Sequence, residues 1–285
     1  MGKYIISVEA TADLPKELLS KYDIREAQMN FSIDETEYST KDENMSVPEF
    51  YEKMKAGAKT STSQINTYSA TEYFTELLKE GKDILHVSFT SALSGMYEAM
   101  KKSAEELNAT SQNKIIVVNS LCASMGQGLL AILCAEKQDE FDSVEKLAEY
   151  CESIKMQIDH LFVVDSLKYL SRTGRVSKMT AMIGNALQIK PILHVDNDGH
   201  LTSFAKVISR KKSLTSLAEK VVAKKNNLSD KIYICHANCE EEANQVKSMI
   251  EEKLNINVDL MNLGYVIGCH AGPGTIAVFF TSNER

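Results

Sequence analysis

The chain has 285 residues, of which 44% are hydrophobic and 25% charged, an ordinary globular composition with enough length for two α/β domains and a sizeable core. Its formal net charge of -7 excludes the broad basic face that a nucleic-acid binder presents. No run of eighteen apolar residues occurs, and Met1 to Ala10 lacks the basic region and apolar core of a secretory leader, so a cytoplasmic location is expected.

Taken in chain order, Tyr4-Ile5-Ile6-Ser7-Val8 predicts a buried strand, and Ala12-Asp13-Leu14-Pro15 opens a helix ending near Tyr22. Asn30 to Thr40 predicts a strand and a hairpin-like excursion. The capping boxes Ser46-Val47-Pro48-Glu49 and Ser69-Ala70-Thr71-Glu72 start helices that stop at Gly57 and Gly81. Ile84-Leu85-His86-Val87-Ser88 and Ile115-Ile116-Val117-Val118 are nearly continuous apolar runs, each followed by small polar residues and a helical pattern. Parallel strands covered on both faces have this appearance. The repeated β-then-α order predicts an α/β, doubly wound, mostly parallel sheet over residues 1–158, with a ligand site in the loops after residues 8, 88 and 118.

Near residue 158 the pattern changes. His160 to Asp165 predicts a strand, Leu167 to Leu170 a helical turn, and Met179 to Leu187 a small apolar helix. Lys190 to Val195, the turn Asp196-Asn197-Asp198-Gly199 and Leu201 to Ile208 predict antiparallel structure. A helix over Leu214 to Lys225, a strand over Lys231 to Cys235, a helix over Glu241 to Leu254 and a strand over Thr275 to Phe280 follow. Residues 159–285 are therefore expected to form a second, mixed α+β domain, with the ligand in the cleft between the two. The six cysteines mostly occupy apolar patterns and read as free thiols. Cys235, His236 and Cys239 lack a second ligand pair at suitable spacing, so no metal site is expected.

Three stretches combine hydroxyls and glycine where the sheet predicts loops: Thr60-Ser61-Thr62-Ser63-Gln64, Ser88 to Gly95, and Asn119 to Gly128, which includes Ser120. Helix capping accounts for any one of them singly, but three together suit a carboxylate or phosphate. Arg175 in Ser171-Arg172-Thr173-Gly174-Arg175 and His270 in Gly268-Cys269-His270-Ala271-Gly272-Pro273-Gly274 could serve the same anion, the histidine from a tight glycine-rich bend. A hydrolase or transferase using Ser94 with His270 is the alternative. It lacks the first glycine of a nucleophile elbow, and no Walker or dinucleotide fingerprint supports nucleotide chemistry.

These stretches also resemble successive blocks of a known family. Thr11-Ala12-Asp13-Leu14-Pro15, Thr62-Ser63-Gln64, Leu93-Ser94-Gly95, Ser120 with Ala123 to Gly128, Phe162 to Leu170, Gly174-Arg175-Val176-Ser177, Ile189 to Leu193, and His270-Ala271-Gly272-Pro273-Gly274 are similar to the DegV family, in the same order over nearly the whole chain. The resemblance implies a two-domain carrier that buries a long-chain fatty acid such as palmitate, stearate or oleate, with no cofactor and no catalysis of its own. It also implies an ATP-dependent fatty acid kinase subunit as partner, which makes acyl phosphate for phospholipid synthesis, and it admits transient contact with a membrane surface. Carried over by motif, Thr62 and Ser94 would bind the carboxylate beside Ser63 and Gly95. His270, Arg175 and Ser120 would lie near the head group or incoming phosphate. Glu9-Ala10 departs from the family, which often has aspartate and serine before Thr-Ala-Asp.

A fatty acid needs a long apolar tunnel with a polar end. At roughly 0.8 kcal/mol per buried methylene, about fifteen methylenes contribute on the order of 12 kcal/mol before association entropy is counted. The tail therefore dominates affinity, and the head-group contacts mainly fix orientation. Met125, Leu129, Ile189 and the Met179 to Leu187 segment are candidate tunnel walls.

Overall fold

The computed structural model describes residues 2–42, 44–176 and 190–285. The apolar helix expected over Met179 to Leu187, together with Ser177 and Ile189, lies outside them. Strands β1 (Ile5–Glu9), β2 (Ile24–Ala27), β6 (Ile84–Ser88) and β7 (Ile115–Asn119) form an all-parallel sheet in the order β2-β1-β6-β7. Its two faces follow the strand period of two. Ile6, Val8, Leu85 and Val87 pack with Leu129, Leu130, Leu133 and Leu147, from helices α5 (Met125–Lys137) and α6 (Val144–Ile154). Ile5, Ile84 and Ile115 pack with Phe74, Met96 and Met100, from α3 (Thr67–Leu78) and α4 (Met96–Asn108) on the other side. The doubly wound arrangement is present.

A second sheet of six strands has the order β10-β9-β8-β13-β11-β12, using β8 (Ile158–Val163), β9 (Ile192–Val195), β10 (Leu201–Ala205), β11 (Ile232–His236), β12 (Val258–Asn262) and β13 (Ile276–Thr281). Its pairings are antiparallel except β11 with β12. One face packs under helices α8 (Arg210–Lys224) and α9 (Glu240–Leu254) through Leu161, Val163, Ile234 and Val278. The opposite face, including Phe162, Ala277 and Phe279, joins the core that contains α5. No described helix is long and apolar enough to cross a membrane.

A third element changes the expected layout. The hydroxyl stretch at Thr60 is not a loop. It is strand β5 (Thr60–Ser63), which pairs with β3 (Asn30–Ile33), itself paired with β4 (Thr36–Ser39), in a small antiparallel sheet. The bend expected around His270 is likewise preceded by a helix, α10 (Tyr265–Ala271). It ends at Gly272, whose φ of 82° lies in the left-handed region glycine tolerates. Helix α10 lies on the small sheet: Tyr265 stacks on Phe31 with ring centroids 4.7 Å apart, and Thr60 Oγ1 donates to the Cys269 carbonyl at 3.3 Å. Helix α2 (Val47–Lys55) joins them, its Tyr51 Oη donating to the Leu263 carbonyl at 2.8 Å.

Candidate functional site

The carboxyl ends of β1, β6 and β7, strand β5, helix α10 and the inner face of the six-stranded sheet surround one cavity. It holds ≈ 1030 Å³ of empty space, counting the part open to solvent, which is the size of a pocket for a whole ligand molecule. Most of its wall is apolar, with Met29, Phe89, Met96, Phe162, Val195 and Phe279 among the larger contributors. Met125 and Leu129 are not in that wall. Both are fully buried in the core that α5 shares with the two large sheets.

Polar groups gather where β5 meets α10. Thr62 Oγ1 lies 2.9 Å from His270 Nε2, and Thr62, Gln64, Ser94, Arg175 and His270 all line the cavity. Ser94 precedes α4, and its Oγ accepts the Met96 N–H at 3.2 Å, which satisfies one of the helix's free donors. Gly95 stands against Gln64, so that a Cβ there would lie 3.4 Å from Gln64 Oε1. Ser63 points outward from the edge of β5 and is exposed. Ser120 is fully buried away from the cavity wall, with its Oγ accepting the Cys122 N–H at 3.0 Å. Burial, followed by the nearby Arg175 and Arg172 guanidinium groups, pushes the His270 imidazole down to about 4. It is therefore neutral at neutral pH, and its Nδ1 has no hydrogen-bond partner among the described residues.

Arg172, which the motif comparison passed over, donates to Thr60 Oγ1 at 3.1 Å and so ties the helix α7 (Lys168–Arg172) to the root of β5. For the Ser94–His270 alternative, the hydrogen bond a general base would need is not made: His270 Nε2 meets Thr62, and Ser94 Oγ caps α4. His236 Nδ1 accepts the Cys239 N–H at 3.4 Å. The group of described residues whose ligand atoms could hold a metal ion is Asp196, Asp198 and His200, in the β9–β10 turn.

Beneath the site runs a polar network that the sequence does not announce. Glu9, at the end of β1, is fully buried. Its Oε1 accepts Ser88 Oγ at 2.5 Å and stands 3.1 Å from His86 Nε2, while its Oε2 accepts the Phe89 N–H at 3.1 Å and Gln127 Nε2 at 2.5 Å. Gln127 Oε1 in turn accepts Thr11 Oγ1 at 2.9 Å, and Thr11 lines the cavity. Burial pushes the Glu9 carboxyl up, but His86, Ser88 and the Phe89 N–H together outweigh it and hold the group below its ordinary value. Glu9 is therefore the clamp that fixes the start of the Phe89–Ser94 loop.

Four residues on, Asp13 shifts the other way. It sits at φ 51°, accepts Ser124 Oγ at 2.5 Å and the Gly264 N–H at 3.1 Å, and is pushed up to about 8, mainly by burial. Ser124, at φ 54°, also lines the cavity. Asp13 thus joins the start of α5 to the segment leading into α10.

Comparison with known proteins agrees with this architecture. A family model described as "Uncharacterised protein, DegV family" matches residues 3–283. A DegV domain-containing protein of Clostridium perfringens is 38% identical, over 100% of this chain and 99% of its own length. Among solved structures, a fatty acid binding DegV family protein from Streptococcus agalactiae is 26% identical with a TM-score of 0.86, covering 100% of both chains. DegV from Bacillus subtilis, described as a fatty acid binding protein, is 25% identical with a TM-score of 0.84, covering 99% of this chain and 100% of its own. The chain belongs to the DegV family.

Proposed function

We propose that this protein encloses one long-chain fatty acid between the units 1–158 and 159–285 and presents its carboxylate to a separate ATP-dependent kinase subunit for conversion to acyl phosphate. The observation that carries the reading is a large, mostly apolar cavity in which Thr62, Ser94 and a neutral His270 gather at the β5–α10 end. Thr62 and Ser94 hydrogen-bond the carboxylate, with Gly95 behind Ser94 against Gln64, while Ser63, exposed on the outer side of β5, takes no part. Neutral His270 holds Thr62 in place and adds no charge that would trap the head group. Arg175 meets the incoming phosphate as a planar donor. The fatty-acid-binding relatives from Streptococcus agalactiae and Bacillus subtilis support the ligand class. The kinase step rests on the resemblance.

Organic extraction of the gently purified protein, followed by mass spectrometry, is expected to release one long-chain fatty acid per chain. An empty cavity would remove the reading. Thr62→Val is expected to weaken fatty acid binding by about tenfold, the value of one hydrogen bond to a charged acceptor at about 1.5 kcal/mol, and to leave the fold intact. Unchanged affinity would show that the carboxylate lies elsewhere. With ATP and Mg²⁺ the isolated chain is expected to form no acyl phosphate, and Ser94 is expected to resist fluorophosphonate labelling. Labelling at Ser94 would favour the hydrolase alternative.

A further inference from the structure

The six-stranded sheet measures out one side of the cavity. On the paired strands β13 and β8, Ala277 stands opposite Phe162 and Phe279 opposite His160. On β8 and β9 the pairing of Leu161 with His194 brings the next residues, His160 and Val195, to the level of Phe279, and Val195 stands opposite Leu201 on β10. Phe279, Val195 and Leu201 of this rung line the cavity, as do Ala277 and Phe162 one rung back and Thr275 one rung farther back. Thr275 Oγ1 donates to the Ala271 carbonyl at 3.1 Å, which places that first rung beside His270.

From that corner, the farthest lining residue on the sheet is Leu201. It lies four residues along the strands at ~3.3 Å each, roughly 13 Å, and three strand spacings across at ~4.8 Å each, roughly 14 Å, a diagonal of about 20 Å. An extended acyl chain advances about 1.2 Å per bond, as extended backbone does over its three bonds per residue, and covers that diagonal in about sixteen bonds. The next rung, Thr281 opposite Ile158, is fully buried and outside the lining, with the Ile158 carbonyl engaged by Arg285 Nε at 2.8 Å. The β9–β10 turn is fastened as well. Thr90 Oγ1, in the loop after β6, donates to the Gly199 carbonyl at 3.2 Å, and the fit is so close that a Cβ on Gly199 would lie 2.1 Å from that oxygen. Leu201 stands two residues from this anchor, so a chain that reaches it meets a braced wall.

We propose that Leu201 is the end stop of the acyl site: the terminal methyl of the bound fatty acid rests against it, and its side chain sets the longest acid the protein accepts. This rests on the fatty acid reading above and narrows its ligand class to chains whose length matches the span from the Thr62–His270 corner to β10. Below that length each further methylene leaves water and tightens binding by about fourfold. Above it the tail must displace packed side chains, which is as unfavourable as overfilling a core.

The test is displacement of a fluorescent fatty acid from the delipidated full chain by straight-chain saturated acids, taken one carbon at a time from dodecanoic to eicosanoic acid. The dissociation constant of the native chain is expected to fall about fourfold per carbon and then turn at one length. Leu201→Ala is expected to move the turn about two carbons longer, and Leu201→Phe to move it shorter. Both variants are expected to bind dodecanoic acid as the native chain does, because that acid does not reach β10. A purely structural role for Leu201 would instead weaken every acid alike and leave the turn in place. A steady fall as far as eicosanoic acid, or a turn that stays at the native length in either variant, overturns the proposal and leaves the fatty acid reading standing. Failure of every acid to bind the native chain removes that reading and this inference with it.

Discussion

Asp13→Asn is expected to stabilise the protein at neutral pH by on the order of 3 to 4 kcal/mol, a rise in melting temperature of roughly 10 °C. The folded protein holds the Asp13 proton up to about 8, whereas an ordinary aspartate releases it near 3.8. Between those values the folded state binds one more proton than the unfolded state. Stability contributed by this group therefore falls as pH rises, by at most about 1.4 kcal/mol per unit. Asparagine reproduces the neutral acid: its carbonyl can accept the Gly264 N–H, its amide can donate to Ser124 Oγ, and it tolerates the left-handed backbone at this position. Urea unfolding measured from about pH 5 to about pH 8 should show a falling curve for the native chain and a flatter one for the variant. Glu26, which faces Asp13 electrostatically and is itself pushed up to about 7, retains a slope of its own. Parallel curves for the two proteins would mean that Asp13 is ionised in the fold.

Glu9→Gln is expected to do the opposite, at a cost of about 3 to 5 kcal/mol near neutrality. Three donors converge on the Glu9 carboxylate, from Ser88, Phe89 and Gln127, and His86 Nε2 stands 3.1 Å from it. Replacing one of its oxygens with an amide turns part of that convergence into repulsion between donors. Because the Glu9 carboxyl is held below its ordinary value of 4.5, its contribution is complete above that value and is lost as pH falls through the folded one. The gap between native and variant should therefore narrow in acid. The start of the Phe89–Ser94 loop is pinned by this carboxylate, so fatty acid affinity should fall along with stability. A variant as stable as the native chain would show that the network is not fastened through Glu9.

Strands β1, β6 and β7 were legible because they are short apolar runs followed by helices, and the His160–Asp165 and Thr275–Phe280 strands because they are apolar runs too; β2 was missed, because Ile24-Arg25-Glu26-Ala27 buries only its two ends. Strand β5 was not. Thr60 to Ser63 contains no apolar residue to alternate, and only its pairing with β3 makes it extended structure. Helix α10 was hidden by Gly264 and Gly268, which ordinarily interrupt helices. Gly268 is there because a Cβ would come within 2.4 Å of Tyr51 Oη, a contact that no local pattern records. Helix α6 and strand β12 were also missed, the second because its burial is confined largely to Val258.

At the candidate site, Thr62, Ser94, Arg175 and His270 were found by motif and do line one cavity. The direct contact between Thr62 and His270 was not foreseen. Glu9-Ala10 read only as a departure from the family pattern, since a sequence cannot show which donors will converge on a buried carboxylate.

The Thr62–His270 contact spans 208 positions of the chain, and Thr60–Cys269 and Tyr51–Leu263 close loops of similar size. Such closures are entropically expensive and come late, after local helices and neighbouring strands have formed. A fatty acid that needs both sides of this seam can bind only a chain whose two ends have already met. On the proposed function, loading therefore stabilises the closed chain in proportion to the free ligand concentration over its dissociation constant.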